Sequence, residues 1–155
     1  MKKKSSLKMD ETSLEIVKRF RSGRLTLSQI AEGLQISEGT VRNRIAKLEQ
    51  AGILNRCGYV DIDALPGHSI ILIGIKLKSS PHLVEKADEL QHLRGVVSAA
   101  VVTGSFDIIL TVMLNEEFGL LEFFNEEFIK HSDDVQTTET FVCYKGFNLK
   151  VPYML

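Results

Sequence analysis

Apolar residues recur every three to four positions in the first third of the chain and largely every second position after it, a change of period that divides the sequence. Leu14, Ile16, Val17 and Phe20 form a broad apolar face that starts at Asp10, an N-cap, and stops near Ser22-Gly23. Thr26 is the next N-cap, with Gln29 completing a capping box, and Leu27, Ile30, Ala31 and Leu34 follow at i, i+3, i+4 and i+7. Gln35-Ile36 form a break. Ser37 then caps a helix over about 38–51 in which Val41, Ile45 and Leu48 point inward, and Gly52 stops it. Three helices are predicted, the last two forming a helix-turn-helix.

Beyond Gly52 the chain reads as a strand-like linker, with Tyr59, Val60 and Ile62 between polar residues, broken by Asp63-Ala64-Leu65-Pro66-Gly67. Four strand-like and two helical stretches follow: strand Ser69–Lys78, helix Pro81–Leu93, strands Val96–Val102 and Phe106–Leu114, helix Glu116–His131, strand Val135–Tyr144. The second helix places Leu120, Leu121, Phe124 and Phe128 on one face. The order βαββαβ predicts a ferredoxin-like antiparallel sheet with both helices on one side, and hence an α+β protein. Ile71, Ile73 and Ile75 alternate with Ile70, Leu72 and Gly74, so the first strand is apolar on both faces. Sheet-to-sheet pairing with a second copy is the simplest cover for the open face.

On the second helix of the helix-turn-helix, the side opposite Val41, Ile45 and Leu48 carries Gly39, Asn43, Lys47 and Gln50, with Thr40 and Arg42 flanking. Asn and Gln bind adenine edges with two hydrogen bonds, Arg and Lys favour guanine or phosphate, and Gly39 permits close approach to a duplex. Arg44 lies nearer the buried side, its head directed to a phosphate or to an acidic neighbour. Charge supports a double-stranded DNA partner. The net charge of −1 hides a split, since residues 1–52 hold 11 Lys+Arg against 6 Asp+Glu and the remainder is acidic. Lys2, Lys3, Lys4 and Lys8 suit either an arm tracking DNA or a solubilising tail.

The chain of 155 residues, 44% of them hydrophobic, suffices for one ordinary domain or two small ones. No run of 18 or more apolar residues and no secretory signal is seen, so no membrane role and a cytoplasmic location are expected. Cys57 and Cys143 have no metal-ligand or disulfide spacing, and His68, His82, His92 and His131 are scattered. Neither a catalytic constellation nor a cofactor or metal motif is visible.

The run from Ser37 to Leu54, SEGTVRNRIAKLEQAGIL, resembles the recognition helix and exit of the leucine-responsive/asparagine regulator (Lrp/AsnC) family, and the following βαββαβ order is similar to that family's effector-sensing (RAM/ACT-like) domain. The resemblance spans roughly Met9 to Tyr144. It implies a winged-type helix-turn-helix joined to a ferredoxin-like domain, with a DNA-binding domain at 10–54, a strand-like hinge at 55–67 that pairs with its twin in a dimer, and an effector and oligomerisation domain at 68–155; the lysines before it read as a flexible basic tail at 1–9. DNA contacts are expected from Ser37, Gly39, Thr40, Arg42, Asn43, Arg44 and Lys47.

The loop Val102–Asp107 resembles the family's G-x-[FY]-D effector motif, which implicates Thr103, Gly104, Ser105, Phe106 and Asp107, with Thr138 and Thr140 on the last strand. A glycine turn aims backbone N–H groups at a ligand carboxylate, and Asp107 accepts from an ammonium group, a pair suited to a free amino acid. The alternative is a plain hairpin turn in which Asp107 satisfies local N–H groups. The implied function is a sequence-specific transcriptional regulator, a homodimer building tetramers or octamers, answering to an amino-acid effector; the alternative of the same build is an effector-independent architectural DNA binder. One enzyme class of related build, sirohaem decarboxylase, would want a degraded recognition helix, and this helix is intact.

Overall fold

The computed structural model describes residues 9–79 and 81–155, and the chain divides into two compact units between Arg56 and Cys57. The lysine-rich tail, with Lys2, Lys3, Lys4 and Lys8, lies outside the described residues. The first unit is helical. Helix α1 (Glu11–Arg19) is capped by Asp10, whose carboxylate accepts the Ser13 N–H at 2.8 Å, and a single 3-10 turn ends at Gly23 with φ of 62°. Helix α2 (Leu27–Leu34) has the capping box, Thr26 accepting from the Gln29 N–H and Gln29 from the Thr26 N–H. Replacing such a cap with Ala costs about 1 kcal/mol. Helix α3 (Glu38–Gln50) starts at Ser37, which accepts the Thr40 N–H at 3.1 Å.

Ile16, Ile30, Ala31, Val41 and Ile45 form one buried cluster, edged by Phe20, Leu27, Leu34, Ile36 and Leu54. Leu14, predicted to be inside, is 42% exposed because α1 packs along the narrower stripe of Ser13 and Ile16. Among the described residues this unit has no strand, so of the winged-type expectation the helix-turn-helix is what it contains.

The second unit begins with β1 (Tyr59–Asp61) and a 3-10 turn, then β2 (His68–Leu77), α4 (Leu83–Leu90), β3 (Val96–Val101), β4 (Ile108–Asn115), α5 (Leu120–Glu122, continuing as further helical turns to His131), β5 (Val135–Val142) and β6 (Lys150–Pro152). The main sheet has the order β3-β4-β2-β5, every neighbouring pair antiparallel, as βαββαβ demands. On its helix-covered face Ile71, Ile73, Ile75 and Leu77 of β2 pack with Ile108, Leu110, Val112 and Leu114 of β4. Ala87 and Leu90 of α4 and the rings of Phe118, Phe123 and Phe128 close that core.

Two expectations about this unit change. The 120–131 helix is not continuous α-helix: residues Phe123–Glu127 wind as a π-turn, and the Phe128 N–H reaches back to the Phe123 carbonyl. A π-turn bonds i to i+5 and brings those two positions toward the same side. Phe123 and Phe128 therefore both face inward, 0% and 4% exposed, while Leu121, placed inside by a 3.6-residue period, is 71% exposed.

The second change concerns the open face of the sheet. Its Ile70 end is covered within the chain, because Ile70 and Met113 pack under Ile62 and Val151, with Val60, Cys143 and Leu149 at the margin. The hinge strand accordingly has a partner in its own chain: β1 pairs antiparallel with β6, Val60 opposite Val151. The C-terminal β6 left no signal in the sequence beyond the single apolar Val151. What stays open is a smaller patch around Leu72 and Phe141, 40% and 45% exposed and paired across β2 and β5.

Candidate nucleic-acid interface and effector loop

Helix α3 fixes the direction of its polar residues by burying the opposite ones, Val41, Ile45 and Leu48, at 0–3% exposure. Gly39, Arg42, Asn43, Lys47 and Gln50 consequently stand in solvent, and Thr40 and Arg44 are half-buried at the flanks. Asn43, Lys47 and Gln50 have no side-chain hydrogen bond or ion pair among the described residues, so their groups are open to an outside partner. Nothing in the fold asks for glycine at 39: a Cβ there would meet only the Ser37 hydroxyl, at 3.8 Å. Glycine inside a helix costs about 1 kcal/mol relative to alanine, and no contact within the unit calls for it here.

The arginines behave differently from Asn43 and Lys47. Arg44 directs its head to the acidic neighbour, one amino group meeting both Asp10 carboxylate oxygens at 2.7 and 2.6 Å and the Ser13 hydroxyl at 2.9 Å. The Arg44 guanidinium, with the Ser13 N–H, holds the Asp10 carboxyl well below the usual carboxylate range. Arg42 pairs with Glu38 one turn earlier at 2.6 Å, and Arg56 with Glu49 at 2.5 Å. Asp10, Ser13 and Glu38 were absent from the sequence-derived set. The Glu38–Arg42 spacing of i, i+4 was legible as a pair, but nothing local links Asp10 with Arg44, 34 residues away. Thr40, Asn43, Arg44 and Lys47 line one wall of a cleft of about 370 Å³ whose other wall holds Asp10 and Ser13. Ser37 is the helix cap, its hydroxyl 2.8 Å from that of Thr40.

In the second unit, the β3–β4 hairpin is closed by the Val102 N–H donating to the Asp107 carbonyl at 3.0 Å. Thr103, Gly104 and Ser105 are exposed at its tip, with Gly104 at φ of 128°, a conformation that side chains rarely adopt. The N–H groups of residues 103–106 have no partner among the described residues. Asp107 is turned inward instead. Its carboxylate accepts the Leu77 N–H at 2.9 Å and the Lys76 ammonium at 2.9 Å, and these two, in that order, lower its pKa. Of the two readings of this loop, Asp107 follows the one in which it satisfies groups of its own fold, although the donors come from β2 rather than from the hairpin.

Phe106 lies over Gly74 of β2, where a Cβ would come within 2.6 Å of the ring, and meets Phe141 edge to face. Thr138 and Thr140 pair with Ile75 and Ile73, so they belong to the helix-covered face, whereas Phe106 sits on the other. The structure thus gathers Thr103, Gly104, Ser105, Phe106 and Asp107 into one loop but leaves the two threonines across the sheet. Lys76, Gly74 and Phe141 are loop partners that sequence reasoning missed. The dispersed histidines stay apart: His68 contacts Tyr153 in the second unit, and His131 contacts Glu89.

Comparison with known proteins accounts for both units. Residues 9–57 match a helix-turn-helix domain family, and residues 69–149 match the Lrp/AsnC ligand binding domain. The chain is 30% identical to the regulatory protein AsnC of Escherichia coli strain K12 over 125 residues, covering 78% of this chain and 80% of that protein. It is 27% identical to the regulatory protein AsnC of Haemophilus influenzae over 135 residues, covering 86% and 88%. The solved structure of E. coli AsnC superposes with a TM-score of 0.65 at 26% identity, over 90% of this chain and 94% of that one. A transcriptional regulator of Neisseria meningitidis, solved as a complex with L-Met, shares the fold with a TM-score of 0.67 at 20% identity, over 96% of each chain. The chain belongs to the Lrp/AsnC family, and is a transcriptional regulator that joins a DNA-binding helix-turn-helix to a ligand-binding domain.

Proposed function

We propose that the protein binds duplex DNA with sequence preference as a dimer, through Gly39, Thr40, Arg42, Asn43 and Lys47 of α3, with Ser37 and Arg44 at the helix margins. The observation that carries the reading is the solvent-facing row of Gly39, Asn43, Lys47 and Gln50, held rigid by three buried residues on the other side of the helix. Two such helices related by a two-fold read half-sites about one turn, ~10 bp, apart or a multiple of it. The dimer, and any tetramer or octamer built on it, uses the part of the sheet that the chain itself leaves open, around Leu72 and Phe141. A small amino acid is the effector, bound at Thr103, Gly104, Ser105 and Phe106, where free N–H groups suit its carboxylate, with Asp107 and Lys76 beneath. Thr138 and Thr140, on the other side of the sheet, then contact effector only from a neighbouring copy. The L-Met complex of the N. meningitidis regulator supports a ligand of this class.

The test is a gel-shift titration at one fixed, moderate salt concentration. Wild type separates duplexes by affinity, and Asn43→Ala relaxes discrimination by about 1–3 kcal/mol at one base position. Equal affinity for every duplex, untouched by Asn43→Ala, overturns the specific-regulator reading. For the effector, the amino acids are screened by thermal shift on wild type and on Asp107→Ala. Stabilisation lost in that variant supports the loop, and stabilisation indifferent to it moves the site elsewhere.

A further inference from the structure

We propose that Glu38 and Asp10 are specificity-determining residues: each holds an arginine of α3 in an intramolecular ion pair that a matching DNA site displaces, which suppresses binding to DNA of arbitrary sequence. The inference rests on the DNA reading above and adds to it the acidic half of the interface.

Two of the three cations on α3 are already paired in the free protein, Arg42 with Glu38 and Arg44 with Asp10, each at 2.6 Å. Lys47 has no such partner among the described residues. The Glu38 carboxylate is not a lock on the fold. Side chains of Arg42 and Glu38 are 66% and 44% exposed, and an ion pair in that setting is weak and exchangeable. Its main effect is on the charge that α3 presents. Non-specific affinity for DNA comes from cations that neutralise phosphates and release counterions. An arginine that arrives with its own carboxylate brings no net charge, and leaving that carboxylate beside a polyanion is unfavourable.

A fitting base pair changes this balance. Glu38 stands in the first turn of α3, the part of a recognition helix that reaches base edges. There Arg42 can bind the two acceptors of a guanine while Glu38 accepts from a cytosine amino group, so that both members of the pair find new partners at a G·C step. Random sequence offers the arginine a phosphate and the glutamate nothing. Asp10, at the cap of α1, likewise neutralises Arg44, in a pair whose side chains are 54% and 31% exposed. Its capping of Ser13 does not require the charge, since Asn caps equally well.

The experiment uses the full chain with Glu38→Gln and Asp10→Asn, which keep side-chain shape and the α1 cap. Fluorescence anisotropy measures binding to a random-sequence duplex and to the tightest duplex selected from a random pool, each over a salt series. Unchanged circular dichroism confirms that the variants fold. Each variant is expected to bind the random duplex about tenfold tighter, with a plot of log affinity against log salt steeper by about one. The selected duplex gains less, so the specificity ratio falls. The inference is overturned if affinity and slope on random DNA are unchanged, or if both duplexes weaken equally, which would make the carboxylates mere supports for the arginines. A wild type that discriminates while the variants leave the random duplex untouched refutes this inference and spares the DNA reading. A wild type that binds no duplex refutes both.

Discussion

The face of α3 and the loop at 102–107 differ in how their candidate side chains are aimed. On α3 one element sets every direction, because burying Val41, Ile45 and Leu48 turns Asn43 and Lys47 outward. In the loop, direction is set by neighbouring strands as well. Asp107 is drawn inward by Lys76 and Leu77 of β2, and Phe106 rests between Gly74 of β2 and Phe141 of β5. The difference teaches that a site built on one helix is fixed locally, whereas a loop site inherits the stability of the sheet beneath it. Their separate cores make this comparison breakable by mutation.

The largest effect is expected from Phe123→Ala. Phe123 is fully buried, with ring contacts to Phe118, Phe124 and Phe128, and its loss should destabilise the second unit by about 3–5 kcal/mol. In urea unfolding followed by near- and far-ultraviolet circular dichroism, the transition of residues 57–155 should move to lower denaturant while the helical signal of the first unit persists. Leu121→Ala, on an exposed side chain, should shift the same transition by under about 0.5 kcal/mol. Equal effects of the two substitutions would restore the continuous α-helix and its 3.6-residue face.

That pair also marks where the sequence was readable. The caps Asp10, Thr26 and Ser37 and the inward rows of α2 and α3 are local patterns, and the structure follows them. The π-turn at 123–127 was not readable, because several rings competing for one core set the winding there. Asp107 was recognised as a conspicuous carboxylate, but its partners lie 30 and 31 residues away, beyond any periodicity. Likewise, the cover that β1 and β6 place over Ile70 joins segments about 90 residues apart, so the open face appeared larger in the sequence than in the fold.

Gly74→Ala should come next in size. Its Cβ would meet the Phe106 ring at 2.6 Å, and overpacking of this kind costs about 1–3 kcal/mol as the ring and its loop are pushed off the sheet. If the loop is the effector site, the thermal shift produced by a stabilising amino acid should shrink in Gly74→Ala while duplex selectivity in gel shift stays as in wild type. A simultaneous loss of selectivity would show that the α3 face depends on the loop after all. The reciprocal probe is Lys47→Ala. It should weaken binding to all duplexes alike and reduce the salt slope by about one, with urea unfolding unchanged, since Lys47 is exposed and unpaired among the described residues.

The smallest expected effect is the pH dependence of the second unit. Asp107 has its pKa lowered from 3.8 by the Leu77 N–H and Lys76, and Glu89 has its pKa lowered from 4.5, first by His131 and then by Lys86. Because each carboxyl binds its proton less readily when folded, the unfolded chain takes up protons first as pH falls. The stabilisation is therefore complete above the ordinary values and is lost as pH drops through the lowered ones, the share of Glu89 starting to be lost below 4.5 and that of Asp107 below 3.8. Urea midpoints of the second unit should hold steady from neutrality down to the first of these values and then decline. Asp107→Asn keeps an acceptor for the Leu77 N–H but removes the charge facing Lys76, so it should lower the neutral midpoint and flatten the part of the decline below 3.8. The part that begins near 4.5 should remain, because Glu89 is untouched. If the acid limb is identical in Asp107→Asn and wild type, the carboxylate is not held by β2 in solution, and Asp107 is then free to meet the ammonium group of an effector directly.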